Sequence, residues 1–282
     1  MPELPEVETI KTELTPWVLG QSFTEVDILD ARLVCGGSAK EVRRGLIGQK
    51  VESLERRGKY LIFHLSNGKA LILHFRMTGS LLLNPGEVGR YARAIFHLSS
   101  GHRLVFSDRR RLGLLWLVDE PNAVICRLGP EPLDESFTAD TLGQRLSRHR
   151  IPIKAALLDQ RIVAGLGNMY ADEVLFAAGI NPLRKADSLS LEEVLTLHNC
   201  ICRVLLAGIG NKGASVATYV RPEGAPGTAH FAFKVAHKKG EPCPICGSPI
   251  EWVAIQNRGT CFCPRCQPSA GDLWRKCHPD RI

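Results

Sequence analysis

Between Ser22 and Val118 apolar and polar residues alternate over short runs, among them KYLIFHL, ALILHF, YARAIFHL, HRLVFS and GLLWLV, parted by the turn-forming stretches SNGK and SSGH. Such alternation predicts strands, and turns so closely spaced predict a β-sandwich or barrel, with one helix, Val7 to Leu14, at its entrance. The proline- and acid-rich LGPEPLDESF, Leu128 to Phe137, reads as a linker. Beyond it the period changes to that of helices. In SLSLEEVLTLHNCICRVLL the positions Leu191, Val194, Leu195, His198, Ile201, Cys202 and Leu205 share one stripe, which predicts core packing, and Ser190 with Glu193 forms a capping box. A shorter helix in IPIKAALLDQ has Pro152 where a first turn tolerates it. In AGLGNMYADEVLFAAG two glycines precede Asn168, a good N-cap, and a helix ending at Gly179; an exposed helix start of this kind offers N–H groups to an anion.

The 282 residues, 44% hydrophobic and 23% charged, suffice for one large domain or two ordinary ones, and two are expected. No uncharged apolar run reaches the ~18 residues of a membrane span, and the start carries Glu3, Glu6 and Glu8 rather than a basic segment. A soluble intracellular protein is the expectation. Lys and Arg number 36 against 29 acids, a formal charge of +7 that leans towards polyanions such as nucleic acid.

Six of the 10 cysteines, Cys243, Cys246, Cys261, Cys263, Cys266 and Cys277, crowd the last 40 residues, which favours metal over disulfides. Cys243-Pro-Ile-Cys246 and Cys263-Pro-Arg-Cys266, with 16 residues between them, are two knuckles that together complete a closed, structural zinc site. Cys261 is expected to be a bystander. The intervening EWVAIQNRGTCF predicts a β-hairpin whose turn region holds Gln256, Asn257 and Arg258, a group suited to phosphates or bases.

Four separated stretches, MPELPEVET, GLGNMYADEVLFAAGI, the Gly-Glu-Pro-Cys approach to the zinc knuckles and NRGTCFCPRCQ, together resemble formamidopyrimidine-DNA glycosylase, a bacterial base-excision family acting on oxidised purines. The resemblance spans residues 2 to 267. It implies an α+β multidomain fold: an N-terminal β-sandwich (1–130), a linker (131–136), a helix-two-turn-helix domain (137–235), a zinc-finger hairpin (236–267) and a C-terminal extension (268–282). It also implies one structural zinc ion, damaged duplex DNA running through a cleft between domains, no membrane partner, a monomer and a cytoplasmic, nucleoid-associated location.

The implied chemistry accounts for the peculiar terminus. With Met1 removed, Pro2 becomes a free secondary amine, and an α-amino group titrates near ~7.7–8.0 whereas lysine titrates near ~10.4. The neutral amine attacks C1′ and displaces the base; the resulting iminium acidifies C2′ and drives β- and then δ-elimination. By the same resemblance Glu3 transfers protons at the sugar, Glu6 orients the amine, and Lys59 contacts the nucleic acid near the lesion. Asn168 and Arg258 fall at phosphate-binding positions and Lys154 at a basic residue near the damaged site. Because a base inside a duplex must be extruded, Met77 and Leu112 would wedge the stack and Arg110 would face the orphaned cytosine.

The chain departs from the family pattern where Leu112 replaces phenylalanine, where Ala236 replaces tyrosine, and in GASVATYVRPEGAPGTAH, which stands where the family's loop over the flipped base lies. Two other readings are an endonuclease VIII-like enzyme for oxidised pyrimidines, which typically has glycine where Leu4 stands, and a non-catalytic zinc-ribbon DNA-binding protein.

Overall fold

The computed structural model describes residues 1–269; the extension expected at 268–282 lies, from Ala270 on, outside the described residues. In chain order the elements are α1 (Leu4–Val18), β1 (Phe23–Ile28), α2 (Ala39–Leu46), β2 (Val51–Arg57), β3 (Tyr60–Leu65), β4 (Ala70–His74), β5 (Gly79–Leu83), β6 (Ala92–Leu98), β7 (Arg103–Asp108) and β8 (Leu114–Val118). There follow α3 (Asn122–Ile125), α4 (Ala139–Leu146), α5 (Ile153–Leu158), α6 (Asn168–Ala177), α7 (Leu191–Gly210), β9 (Glu251–Ile255) and β10 (Arg258–Phe262). The chain forms two compact units, one from Met1–Arg127 with Gly208–Phe231, the other from Leu128–Ala207 and from Ala232 on.

In the first unit two antiparallel four-stranded sheets, ordered β1-β6-β7-β5 and β2-β3-β4-β8, make a sandwich. The period of two along each strand decides what fills it: Leu61, Phe63 and Leu65 of β3 face Phe96 of β6, Phe106 of β7 and their neighbours in one core, joined by Val7, Ile10, Leu14 and Val18 of α1. The intervening residue Ile62 points the other way, to a smaller cluster with Ala70 and Ile72 of β4 that Val124 and Ile125 of α3 help to cover. Strand β4 is therefore buried along its whole length.

Helix α1 is longer than its sequence pattern predicts. It starts at Leu4 because Glu3 and Glu6 form a capping box, and continues past Pro16 because Leu14 and Val18 are fully buried. Helix α2 escaped the strand-based reading, although Ser38 and Glu41 form the same capping signal.

In the second unit the capping box of Ser190 and Glu193 opens α7 as expected. The stripe behind it is narrower than predicted: Val194, Leu197, Ile201 and Leu205 are buried, whereas Leu191 and Leu195 are 86% and 51% exposed. Both leucines fall on the helix's outer edge, beyond the arc that a neighbour covers. The segment from Leu128 is stitched down: the Gly129 N–H donates to the Gln160 carbonyl (2.8 Å) and the Ala164 N–H to the Pro130 carbonyl (3.1 Å). A small core of Phe176, Val235, Cys243, Ile250, Cys261 and Cys263 seats the β9–β10 hairpin against α6.

Candidate active site and nucleic-acid interface

At the head of α1 three sequence-predicted residues meet. Glu6 is fully buried and its carboxylate is shared: Oε2 accepts the Glu3 N–H (2.7 Å) and Oε1 the Ala214 N–H (2.7 Å). The second bond reaches 208 residues along the chain and needs glycine beside it, since a Cβ at Gly213 (φ +77°) would stand 2.9 Å from Glu6 and Tyr219. Glu3 is 2% exposed and Pro2 is buried. Lys59, also buried, sits in the two-residue turn joining β2 to β3.

These charges act on the amine at the chain's end, carried in the structure by Met1. Burial drives its pKa below the ordinary 8.0 and Lys59 adds to that, while Glu3 and Glu6 oppose it. His74 is pulled down to about 3 by burial, Arg76 and Lys59, so its ring is neutral; its Nδ1 accepts the Arg76 N–H (3.1 Å).

Arg56 and Glu8 hold this corner together. The Arg56 guanidinium donates to Glu8 of α1 (2.6 Å) and to the Gly58 carbonyl (3.3 Å), so the helix and the turn bearing Lys59 share one anchor. Burial works against the Glu8 charge, but hydrogen bonds from Lys11 and Arg56 outweigh it and hold the carboxyl below its usual range. An acid at the fifth position of the first helix and an arginine two residues before a glycine turn are the sequence signals of that link.

Met77 lies half-buried in the turn between β4 and β5, and Arg110 and Leu112 are exposed on the loop between β7 and β8. The two loops are joined through Thr78 and Asp108, whose side chains hydrogen-bond each other. All of these groups belong to the first unit.

Asn168 and Lys154 come together in the second unit, both donating to the carbonyl of Gly259, the residue that follows Arg258. Asn168 is not the N-cap: Gly167 holds that position, and Asn168 is the first helical residue. Its side chain turns to the hairpin instead, Nδ2 donating to the Gly259 carbonyl (3.0 Å), while its Oδ1 is buried and accepts no hydrogen bond among the described residues. Gln256 and Asn257 form the two-residue hairpin turn with φ of +46° and +60°, so that Arg258, the first residue of β10, projects exposed beside them. Ala236, buried, lines a cavity of about 410 Å³ with Asn168, Asp172, Lys239 and Trp252.

Lys154, expected near the damaged site, is placed by the structure inside the second unit. Its side chain is 0% exposed; the ammonium donates to Asp172 Oδ1 (2.6 Å) and to the Gly259 carbonyl (3.1 Å). Asp172 Oδ2 accepts the Cys261 N–H (3.1 Å), so the pair clamps α5 and α6 to the hairpin bearing Arg258. Burial pushes the Asp172 carboxyl up, against the pull of Lys154. Removing one partner of such a pair strands a buried charge: Lys154→Met is expected to cost about 3–5 kcal/mol in denaturant unfolding, and the double variant Lys154→Met/Asp172→Leu to recover most of it. A single variant as stable as the parent would contradict the clamp.

The four knuckle cysteines converge, all their Sγ atoms lying within 4.8 Å of one another. The Cys243–Cys266 and Cys246–Cys263 sulfur pairs are 3.8 and 3.4 Å apart. Thiolates around a tetrahedral zinc at ~2.3 Å stand about 3.8 Å apart, so the cluster fits one structural Zn²⁺ with no open position. Cys261 lies outside it, buried, with its N–H on Asp172.

Comparisons with known proteins agree along the chain. Residues 1–115 match the formamidopyrimidine-DNA glycosylase N-terminal domain, residues 128–220 that family's H2TH domain, and residues 240–268 a zinc finger found in FPG and IleRS. A formamidopyrimidine-DNA glycosylase of Symbiobacterium thermophilum is 43% identical over 95% of this chain and 90% of its own; one of Moorella thermoacetica is 45% identical over 90% and 94%. Among solved structures, the MutM (Fpg) protein of Thermus thermophilus superposes with a TM-score of 0.88 at 38% identity, covering 95% of this chain and 100% of its own. Lactococcus lactis Fpg in complex with DNA containing an abasic site gives 0.88 at 32% identity with the same coverage.

Proposed function

The chain belongs to the formamidopyrimidine-DNA glycosylase family, and on that premise we propose that it excises 8-oxoguanine and ring-opened purines from duplex DNA through a covalent intermediate on Pro2. The observation that carries this reading is the head of α1, where Pro2, Glu3 and Glu6 are buried together and Lys59, also buried, acts with the two carboxylates on the terminal amine that Met1 carries in the structure. Once Met1 is removed, the Pro2 nitrogen bonds to C1′ as the glycosidic bond breaks and its electrons leave with the base. Glu3 delivers a proton to the ring oxygen, and the sugar opens to an iminium. Loss of a C2′ proton then expels the 3′ phosphate, and a second elimination expels the 5′ phosphate. Glu6, held by two N–H donors, orients the amine; Lys59 lowers its pKa and contacts the strand.

Asn168 and Arg258 bind phosphate beside the lesion in this reading, and Met77, Leu112 and Arg110 fill the space left by the extruded base. Zinc, held by Cys243, Cys246, Cys263 and Cys266, shapes the hairpin and takes no part in the chemistry. Residues 1–130 form the catalytic domain, 131–136 a linker, 137–235 the helix-two-turn-helix domain and 236–267 the finger. The protein works as a monomer in the bacterial cytoplasm at the nucleoid, without a membrane partner.

Two measurements test this. Because only a neutral amine can attack C1′, the rate of borohydride trapping on abasic duplex should rise with pH to a plateau as the Pro2 amine loses its proton. A rate that does not rise with pH would contradict an amine nucleophile. In single-turnover excision, 8-oxoguanine opposite cytosine should be removed at least about tenfold faster than an oxidised pyrimidine. The reverse ranking would favour the oxidised-pyrimidine enzyme.

A further inference from the structure

The β7–β8 loop that carries Arg110 and Leu112 contains no regular structure, and both side chains are exposed. Exposed loop side chains would ordinarily be imprecise instruments, yet a group that must enter a base stack has to be held in place. The backbone of this loop is pinned from below by one side chain. Asp108, at the end of β7, is 1% exposed. Its Oδ2 accepts the N–H groups of Leu112 (2.7 Å) and Gly113 (2.7 Å), and its Oδ1 accepts the Arg110 N–H (3.1 Å) and the Thr78 hydroxyl. Four donors use all the lone-pair sites a carboxylate has. The Arg110 N–H is shared with Thr78 Oγ1 (3.1 Å), so Thr78 touches both the carboxylate and the loop.

Thr78 directly follows Met77. The β4–β5 turn and the β7–β8 loop, 30 residues apart at Thr78 and Asp108, therefore meet at one buried charge. Surrounding contacts leave little slack. Arg93 Nε donates to the Asp108 carbonyl (2.9 Å), Arg111 leans on Asp30 (3.7 Å), and a Cβ at Gly113 would stand 2.6 Å from the Phe106 ring.

We propose that Asp108, coupled through Thr78, is a positioning residue that locks the Met77 turn and the Arg110–Leu112 loop into one rigid unit. The enzyme thereby inserts its wedge and reads the opposite base in a single motion. The inference rests on the reading of Met77, Arg110 and Leu112 as void-filling groups. It makes Thr78 and Asp108 determinants of opposite-base discrimination although neither touches a base. An asparagine at 108 would keep the shape but turn an NH₂ towards N–H donors, so the bonds at one of its two positions are lost.

The test uses the full-length protein with Thr78→Val, Thr78→Ser, Asp108→Asn, Arg110→Ala and Leu112→Ala. Two readouts are taken: the ratio of 8-oxoguanine excision opposite cytosine to that opposite adenine, and borohydride trapping on single-stranded abasic DNA, which has no opposite base to read. Thr78→Val and Asp108→Asn should lower the ratio at least fivefold towards unity, with single-strand trapping within twofold of the parent, and Thr78→Ser should restore the ratio. If Arg110→Ala or Leu112→Ala lowers the ratio while Thr78→Val leaves it within twofold, the coupling is overturned and the void-filling reading stands. If Arg110→Ala and Leu112→Ala leave it unchanged, that reading fails and the coupling with it. Thr78→Val losing single-strand trapping as well, without rescue by Thr78→Ser, would reduce the contact to a folding role and overturn the proposal.

Discussion

Protein that retains Met1 should lose base excision and strand cleavage at least about 10³-fold while still binding damaged duplex. With Met1 in place the Pro2 nitrogen is a tertiary amide without a nucleophilic lone pair. The remaining amine is primary and stands one residue, ~3.8 Å, beyond the Pro2 nitrogen. Misplacement of that size is ruinous for attack at carbon. A neutral imine from a primary amine is also a poorer electron sink than the cationic iminium that proline forms. Single-turnover product formation and an electrophoretic shift on the same 8-oxoguanine duplex check this. Excision at the normal rate by protein whose mass shows Met1 retained would remove Pro2 from the mechanism.

Removing the metal should have the second largest effect. Among the described residues the core that seats the hairpin is made of Phe176, Val235, Cys243, Ile250, Cys261 and Cys263, and two of these are themselves ligands. So small a cluster cannot offset the chain entropy of ordering residues 236–267, whereas zinc binding to four thiolates supplies about 10–16 kcal/mol. Chelation is expected to unfold the finger, free Arg258 from its turn and strip the Gly259 carbonyl from Lys154 and Asn168. Duplex affinity should fall about 10²-fold or more by fluorescence anisotropy and return when zinc is restored. Borohydride trapping on single-stranded abasic DNA should change little, because the amine and its neighbours belong to the other unit. Unchanged duplex affinity after complete zinc removal would contradict a metal-shaped interface.

Much of this was legible because the signals are local. Two C-x2-C knuckles require only nearby residues to agree, as does the capping box of Ser190 and Glu193, and both are present. The sandwich was legible as strands because alternation is read residue by residue, though whether it closed into a barrel was not. What failed was whatever depends on the covering neighbour. Leu191 and Leu195 lie on the helical stripe, yet among the described residues both stay largely exposed. The charge of Lys154 is legible, but its partner Asp172, 18 residues on, is not. Asn168 has the chemistry of a cap, but the Gly259 carbonyl, 91 residues away, claims its side chain. Asp108 was readable only as a turn-forming acid, since its four donors come from two segments that the sheet brings together. The resemblance located the terminus's chemistry; the structure adds Arg56, Glu8 and Ala214 as the groups that hold it.

The measurement that bears most directly on the central claim is borohydride trapping on duplex DNA carrying 8-oxoguanine opposite cytosine, followed by mass mapping of the adduct peptide. The account predicts a covalent adduct on an N-terminal peptide that begins at Pro2, with the deoxyribose remnant on its nitrogen. An adduct that maps to Lys59 or another lysine, or no adduct from protein shown to lack Met1, would contradict it.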